Sequence, residues 1–507
     1  MKFRALLLAL GSSGLLLRWW RARNHGSRAL TYWTSVRALL LALTSSGLLL
    51  RWWRARNHRS RALALLKSVR GHTAAGFEPV RKAFLRNVRE GLENPGGAQL
   101  AICCRGQLVV DLTAGEHNDD HRRRRIVNVF SSGKALESLC VAKLVDLGRL
   151  SYDAPIGTYW PAFATRVSPH VTVADLMRHK SGLCGWRHPF ASIEDARRTF
   201  CDPALAEEYL LSNLPAEWDA HTEHRQAYHA FTRGCYCNTL CRKVDKRGRD
   251  MVQFFRDEIA APLGVEEDVM LCCDNDGVDG DGGDGGGGEG SSRRRNAGRV
   301  ALHTPGEHIL FAALKILIQL VLGIQYFLPY EIKALSGMVR VPLIRRVYSL
   351  VRNSWRGPAK LANDPVFRSC PMPSATTIGT AAAMATVMGA AASGKVLSQQ
   401  GLEMALTPDP RDEKDSQVDL VLNRACRFSA CGWGLERFGD PAYGNLPGWT
   451  GWAGGGGSVL MFHLKYQVSI CYVPTRLEPR LWKPRAIRIL SELSEVLKRG
   501  AEKRLEK

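Results

Sequence analysis

Acidic residues are missing from the first 77 positions of this 507-residue chain; the earliest is Glu78. Up to Arg70 there are 14 Lys and Arg, so of the net +22 only +8 belongs to the other 437 residues. The basic balance therefore belongs mainly to a leader, and no nucleic-acid partner is expected for the body. Cysteine is sparse, 14 residues, and includes adjacent pairs such as Cys103-Cys104 and Cys272-Cys273. That excludes a disulfide scaffold and points to free thiols in a reducing compartment. With 45% hydrophobic and 23% charged residues, 48 Gly and 23 Pro, a collagen, a coiled coil, a multi-spanning membrane protein and a wholly disordered chain are also excluded.

The leader is a duplication. Residues 4–30 recur almost unchanged at 37–63, each copy holding a 13-residue apolar stretch followed by Arg and a Trp pair (Trp19-Trp20, Trp52-Trp53). Thirteen residues reach about 20 Å as helix, short of a roughly 30 Å hydrocarbon core. A secretory or mitochondrial targeting segment, an interfacial anchor and a duplication without structural role all fit. The compartment stays open, as does a membrane surface as partner. Residues 1–75 are set apart as leader and 76–507 as the folded body.

Within the body, 97–116 reads as two strands around Arg105-Gly106. A long helix follows, with Ala135, Leu136, Leu139, Cys140, Leu144 and Leu147 at helical spacing and Gly148 as terminator. Residues 250–261 form another helix. Residues 274–301 are an acidic, Gly-rich insert that cannot bury a core, and a solvated linker is preferred there to a metal site. Residues 309–328 are apolar at 16 of 20 positions, interrupted by Lys315, Gln319, Gly323 and Gln325. A buried or membrane-dipping helix is expected, because a span would part residues of one site. Strands return at 431–437, 457–463 and 467–473, and 483–504 closes the chain as an amphipathic helix. The order predicts an α/β (α+β) body whose two chain ends share one sheet.

The sharpest local signal is Ser131-Ser132-Gly133-Lys134 at the start of the long helix. Ser131 falls at or beside the N-cap and Lys134 one turn on, so both side chains can share a face. A serine hydroxyl needs a base, and a partly buried lysine with a lowered pKa can serve. A capping serine with a surface lysine would produce the same tetrapeptide. Cys235, Cys237 and Cys241 lack a second ligand pair and read as core thiols. Residues 389–395 mimic a phosphate loop, but Val396 stands where Ser or Thr is needed.

Five further segments follow in order: 171–183 (VTVADLMRHKSGL), 227–234 (AYHAFTRG) with 254–265, 373–398, 431–439 and 448–463 (GWTGWAGGGGSVLMFH). Together with 128–163 they resemble the serine beta-lactamase and penicillin-binding-protein-like superfamily, nearest its class C beta-lactamase-related esterase branch. The resemblance implies a beta-lactamase/transpeptidase-like fold, an antiparallel sheet flanked by helices with an inserted mainly helical domain. It implies Ser131 as acyl-accepting nucleophile, Lys134 as its partner and Tyr228 as proton relay, with Ala230 where the family usually has Asn. Trp449-Thr450-Gly451 would occupy the place of the family's Lys-Thr-Gly strand motif. Trp449 would then pack on an apolar acyl group or donate its indole N–H, and N–H groups near Gly454 and of Ser131 would form an oxyanion hole. His179 reads as structural rather than catalytic. The expected reaction is hydrolysis of a small ester or amide through an acyl-enzyme, without metal or cofactor, esters being favoured because Trp449 brings no positive charge. The alternative is a catalytically silent, membrane-associated scaffold. Oligomeric state is not legible.

Overall fold

In the computed structural model the described residues run from 60 to 505, except 116–123, most of 213–224, 274–298, 306–345, 352–357, 413–417, 436–446, 478–483 and two single positions. The duplicated leader up to 59, the bulk of the acidic insert and the apolar stretch 309–328 lie outside them.

Six strands form one antiparallel sheet: β1 (Arg70–Thr73), β2 (Ala98–Cys104), β3 (Gln107–Ala114), β4 (Trp449–Ala453), β5 (Val459–His463) and β6 (Val468–Pro474). Their order is β1-β3-β2-β6-β5-β4, so β2 from the start of the body pairs β6 from its end, Ile102 opposite Ile470. The expected hairpin is present, and its loop, Arg105-Gly106, has both φ angles positive, +52° and +80°. That loop matches the right-handed strand twist. The body begins earlier than residue 76, because β1 pairs β3 and Leu65 is buried in the core. The insert likewise ends earlier than 301: Val300 bridges Ile126, and Arg299 pairs with Asp268.

Helices α1 (Glu78–Arg89) and α5 (Pro484–Leu505) pack together on one side of the sheet. Arg485 of α5 and Glu93 form an ion pair at 2.9 Å, both side chains fully buried. Arg485 also donates to the carbonyl oxygens of Gly456 and Arg476, which ties the last helix to the glycine loop after β4. In that loop Gly456 and Gly457 have positive φ, and a Cβ at Gly456 would lie 2.3 Å from the Leu477 side chain. A side chain has no room there.

Between β3 and β4 the chain builds the helical part around α2 (Lys134–Asp146), α3 (Thr232–Val244) and α4 (Ala381–Ala392). The spacing in α2 predicts one apolar face; instead 11 of its 13 residues are buried, because α3 and β4 both pack against it. Gly148, at φ +67°, follows its end as expected. The helix expected at 250–261 is Met251–Phe255 continued by tighter and wider turns to Gly264. Alanine-rich α4 lies on the other side of the sheet, close enough that a Cβ on Gly389 would be 2.6 Å from Cys103 Sγ. Thus 389–392, which resemble the start of a phosphate loop, are the end of a packed helix. Cys235, Cys237 and Cys241 are buried on α3.

Candidate active site

The turn that carries Ser131 is shaped by its neighbours. Asn128 donates through Nδ2 to the Ala375 carbonyl (3.0 Å) and accepts the Phe130 N–H on Oδ1 (2.9 Å). Phe130 has φ +49°, a conformation a bulky residue holds only when its surroundings impose it. Residues Phe130–Gly133 then form a tight turn leading into α2. Gly133 is required, since a Cβ there would meet the Thr377 side chain at 2.3 Å. Behind the turn Ser132 and Ser458 join hydroxyls at 2.9 Å, and Ser458 donates to the Val129 carbonyl. Ser131 itself is half-buried at the helix tip.

Three groups meet there. Ser131 Oγ shares a hydrogen bond with the Tyr228 hydroxyl. Lys134 Nζ, fully buried, lies 4.9 Å from the centre of the Tyr228 ring. It donates to the carbonyl oxygens of Ala230 (2.8 Å) and Ser374 (3.0 Å). A neutral amine has two N–H groups, so these acceptors satisfy both and leave its lone pair free. Burial, chiefly, pushes the Lys134 amine well below the ordinary lysine range, with Arg233 adding to the effect and Glu137 opposing it. Burial drives the Tyr228 phenol upward, so it holds its proton. Tyr228 lies in the segment before α3 rather than on a helix, and its own N–H donates to buried Asp419 (3.1 Å).

Beneath this trio lies a pair that sequence reasoning missed. Arg233 Nε donates to Glu137 Oε1 at 2.6 Å, both side chains fully buried. The other four Arg233 N–H groups go to the carbonyls of Met177, Gly432 and Lys134 and to the Ser138 hydroxyl. Ser374 closes the network by donating to Glu137 Oε2 (2.5 Å). Glu137 stands one helical turn beyond Lys134, a spacing visible in the sequence; nothing local marks Arg233 or Asp419.

Strand β4 corrects the reading of Trp449. Trp449 pairs with His463 and through it with Val468, whereas Thr450 pairs with Phe462 and through it with Ser469. Ser469 faces α4, to whose Ala385 carbonyl it donates, so Thr450 and Trp452 share the α4 side and Trp449 the opposite one. There the Trp449 indole N–H donates to Ser494 of α5 (2.9 Å), out of reach of any acyl group at Ser131. The tryptophan beside the trio is Trp452, its ring 5.9 Å from that of Tyr228 and 6.0 Å from Lys134 Nζ. Arg233 backs the same ring at 5.2 Å. Gly451, the middle residue of β4, pairs with Gly434 through both backbone groups, which covers the outer edge of the strand there. The Gly454 N–H is taken by the Ser458 carbonyl (2.9 Å) and is no oxyanion donor. A Cβ on Gly454 would lie 2.9 Å from the Ser132 nitrogen, so the glycine lets the loop reach the turn that carries Ser131. The next residue, Gly455, is exposed beside the Phe130 ring.

A family model described as Beta-lactamase matches residues 84–494, most of the chain. The chain belongs to the beta-lactamase family. Among curated proteins, the esterase/beta-lactamase LipL of Mycobacterium tuberculosis is 33% identical over 175 residues, 34% of this chain and 38% of LipL. The match thus spans well under half of that relative. Among solved structures, a family VIII carboxylesterase is similar with a TM-score of 0.64 at 24% identity, covering 84% of this chain and 99% of that one. A penicillin-binding-protein homologue from Caulobacter crescentus gives 0.63 at 23%, covering 84% and 99%. These likenesses establish the beta-lactamase/transpeptidase-like fold, the mixed helix and antiparallel-sheet body expected from the sequence. For this beta-lactamase-family chain the two tryptophans make a direct contrast. Trp449→Phe loses one hydrogen bond and is expected to cost about 1 kcal/mol of stability with kcat/KM almost unchanged. Trp452→Ala is expected to lower kcat/KM about 10²-fold by loosening Tyr228. Urea unfolding and ester kinetics on both variants check this.

Proposed function

We propose that this beta-lactamase-family chain is a serine hydrolase that cleaves small neutral esters, and more slowly amides, through an acyl-enzyme on Ser131. The observation that carries the reading is the hydrogen bond between Ser131 and Tyr228 above a buried, hydrogen-bonded Lys134. Lys134, neutral at rest, takes up the positive charge as the Ser131 proton leaves. As the tetrahedral adduct collapses, Lys134 returns that proton by way of the Tyr228 hydroxyl to the departing alkoxide, which leaves as the alcohol, and the amine is neutral again. The N–H groups of Ser131, at the positive end of α2, and of Gly455 are the candidate oxyanion donors. Water then repeats the steps in reverse order to free the acid. Neither a metal nor a cofactor enters this scheme.

The preference for neutral esters rests on Trp452 rather than on Trp449. Trp452 stands beside the trio, and all five donors of the arginine behind it are committed to protein acceptors. That arrangement presents no cation to a substrate carboxylate. Comparing p-nitrophenyl butyrate with a chromogenic cephalosporin tests this; equal or greater kcat/KM on the cephalosporin would overturn the preference. As to the membrane-associated scaffold, no described helix is long and apolar enough to cross a membrane, and the leader, most of the acidic insert and 309–328, which motivate that alternative beside the altered strand motif, fall outside the described residues.

The pH dependence has a defined sign. Lys134 works only when unprotonated, and burial holds its pKa well below the usual value. Ester kcat/KM should therefore rise with pH through one ionisation and level off below the ordinary lysine range. Because Tyr228 is shifted upward, its deprotonation adds no fall on the alkaline side of that plateau. A pH–rate profile that keeps rising to an unperturbed lysine pKa, about 10.4, would show that the amine is not held down.

A further inference from the structure

Tyr228 belongs to no helix or strand, yet its place decides whether the phenol meets Ser131. Three consecutive backbone N–H groups hold it. That of Tyr228 goes to Asp419. That of Ala227 donates to the carbonyl oxygen of His179 (3.0 Å), and that of His229 to the His179 side chain at Nδ1 (3.0 Å). One residue therefore grips the chain on both sides of the phenol. His179 can do so because its own backbone sits at φ +63°, turning its carbonyl and its ring toward the same neighbour. With Nδ1 accepting, the imidazole proton is on Nε2. That atom is buried and has no hydrogen-bond acceptor among the described residues. The imidazole is packed against the rings of Phe428 (5.0 Å), Tyr228 (5.1 Å) and Trp452 (5.5 Å), centre to centre, all steeply inclined to it.

The neighbouring histidine completes the clamp. His229 Nδ1–H donates to the Ala227 carbonyl (2.6 Å), which leaves Nε2 to accept the Ser181 hydroxyl (2.7 Å). Ser181 and His179 belong to one short stretch, so that stretch holds the Tyr228 segment by three hydrogen bonds. We infer that His179 is a positioning residue: its Nδ1 and backbone carbonyl set the Tyr228 phenol against Ser131, and its imidazole joins Tyr228 to Trp452. The inference rests on the reading of Tyr228 as proton relay. Burial keeps both histidines neutral, His229 pushed down to about 3, so the clamp persists across ordinary pH.

The test is a set of four variants with p-nitrophenyl butyrate, each checked by circular dichroism. His179→Phe keeps ring volume and removes the acceptor. It is expected to lower kcat about 10²-fold with KM nearly unchanged, the effect of displacing a reacting group by about 1 Å. His179→Asn keeps an acceptor and tolerates the positive φ, and should recover most of that loss. Tyr228→Phe should be impaired, and adding His179→Phe to it should cost less than about twofold more, because the two act through one group. If His179→Phe does not fold, His179→Ala replaces it with the same criteria. A folded acceptor-free variant with wild-type kcat, losses that multiply in full in the Tyr228→Phe background, or no recovery in His179→Asn would each overturn the role of His179. A Tyr228→Phe enzyme as fast as wild type would overturn the relay reading itself, and the inference with it.

Discussion

Ser131→Ala is expected to abolish ester turnover, lowering kcat by about 10⁴- to 10⁶-fold, the range seen when a nucleophile is removed from a preorganised site. The physical basis is local. Ser131 is half-buried and its hydroxyl is hydrogen-bonded to a buried phenol, and the amine that would take its proton has two carbonyls for its N–H groups. A fluorophosphonate probe should add one label per wild-type molecule and none to the variant, read as a mass increment on the intact protein. The fold should survive, because Ser131 gives up a single bond, worth about 1 kcal/mol. Labelling of the folded variant at the wild-type rate, or a kcat within tenfold of wild type, would place the nucleophile elsewhere.

The second large effect is on stability. Arg233→Ala removes the ion-pair partner of Glu137 in a place no solvent reaches, and strands the carbonyls of Met177, Gly432 and Lys134 that Arg233 now serves. Removing one partner of a buried ion pair costs about 3–5 kcal/mol. Urea unfolding should show it as a lower midpoint at similar slope. Replacing both members, Glu137→Met with Arg233→Met, should recover much of the loss, since the lone buried charge goes with its partner. A single variant within about 1 kcal/mol of wild type would mean the pair is readily solvated. The two predictions meet at Lys134. Arg233 helps to hold the lysine pKa down, so folded Arg233→Ala enzyme should have its activity limb moved to higher pH.

Much of the candidate site was legible because it is local. Ser131 and Lys134 are three residues apart at the start of a helix, and helical geometry alone brings them to one side. The Arg105-Gly106 hairpin, the end of α2 at Gly148 and the closing helix were readable from turn chemistry and periodicity, which act over a few residues. The errors came where two placements satisfy the same local pattern. Trp449 and Trp452 are three apart on one strand and so face opposite ways. A triplet match to the family's strand motif favoured Trp449, and only the pairing of β4 with β5 and β6 shows that Trp449 turns toward α5. The Gly454 N–H was equally plausible as a donor until the Ser458 carbonyl was seen to occupy it.

By itself the sequence carried the resemblance to the family, through the order of its motifs, and the Ser–Lys spacing, which short-range helical geometry turns into a shared face. Tertiary structure decided which tryptophan stands beside Tyr228 and Lys134, that Arg233 pairs with Glu137 from 96 positions away, and that His179 grips the Tyr228 segment across about 50. Such contacts depend on chain segments that meet only when the core closes. A charge or an imidazole looks the same in the sequence whether it is solvated or buried against its partner.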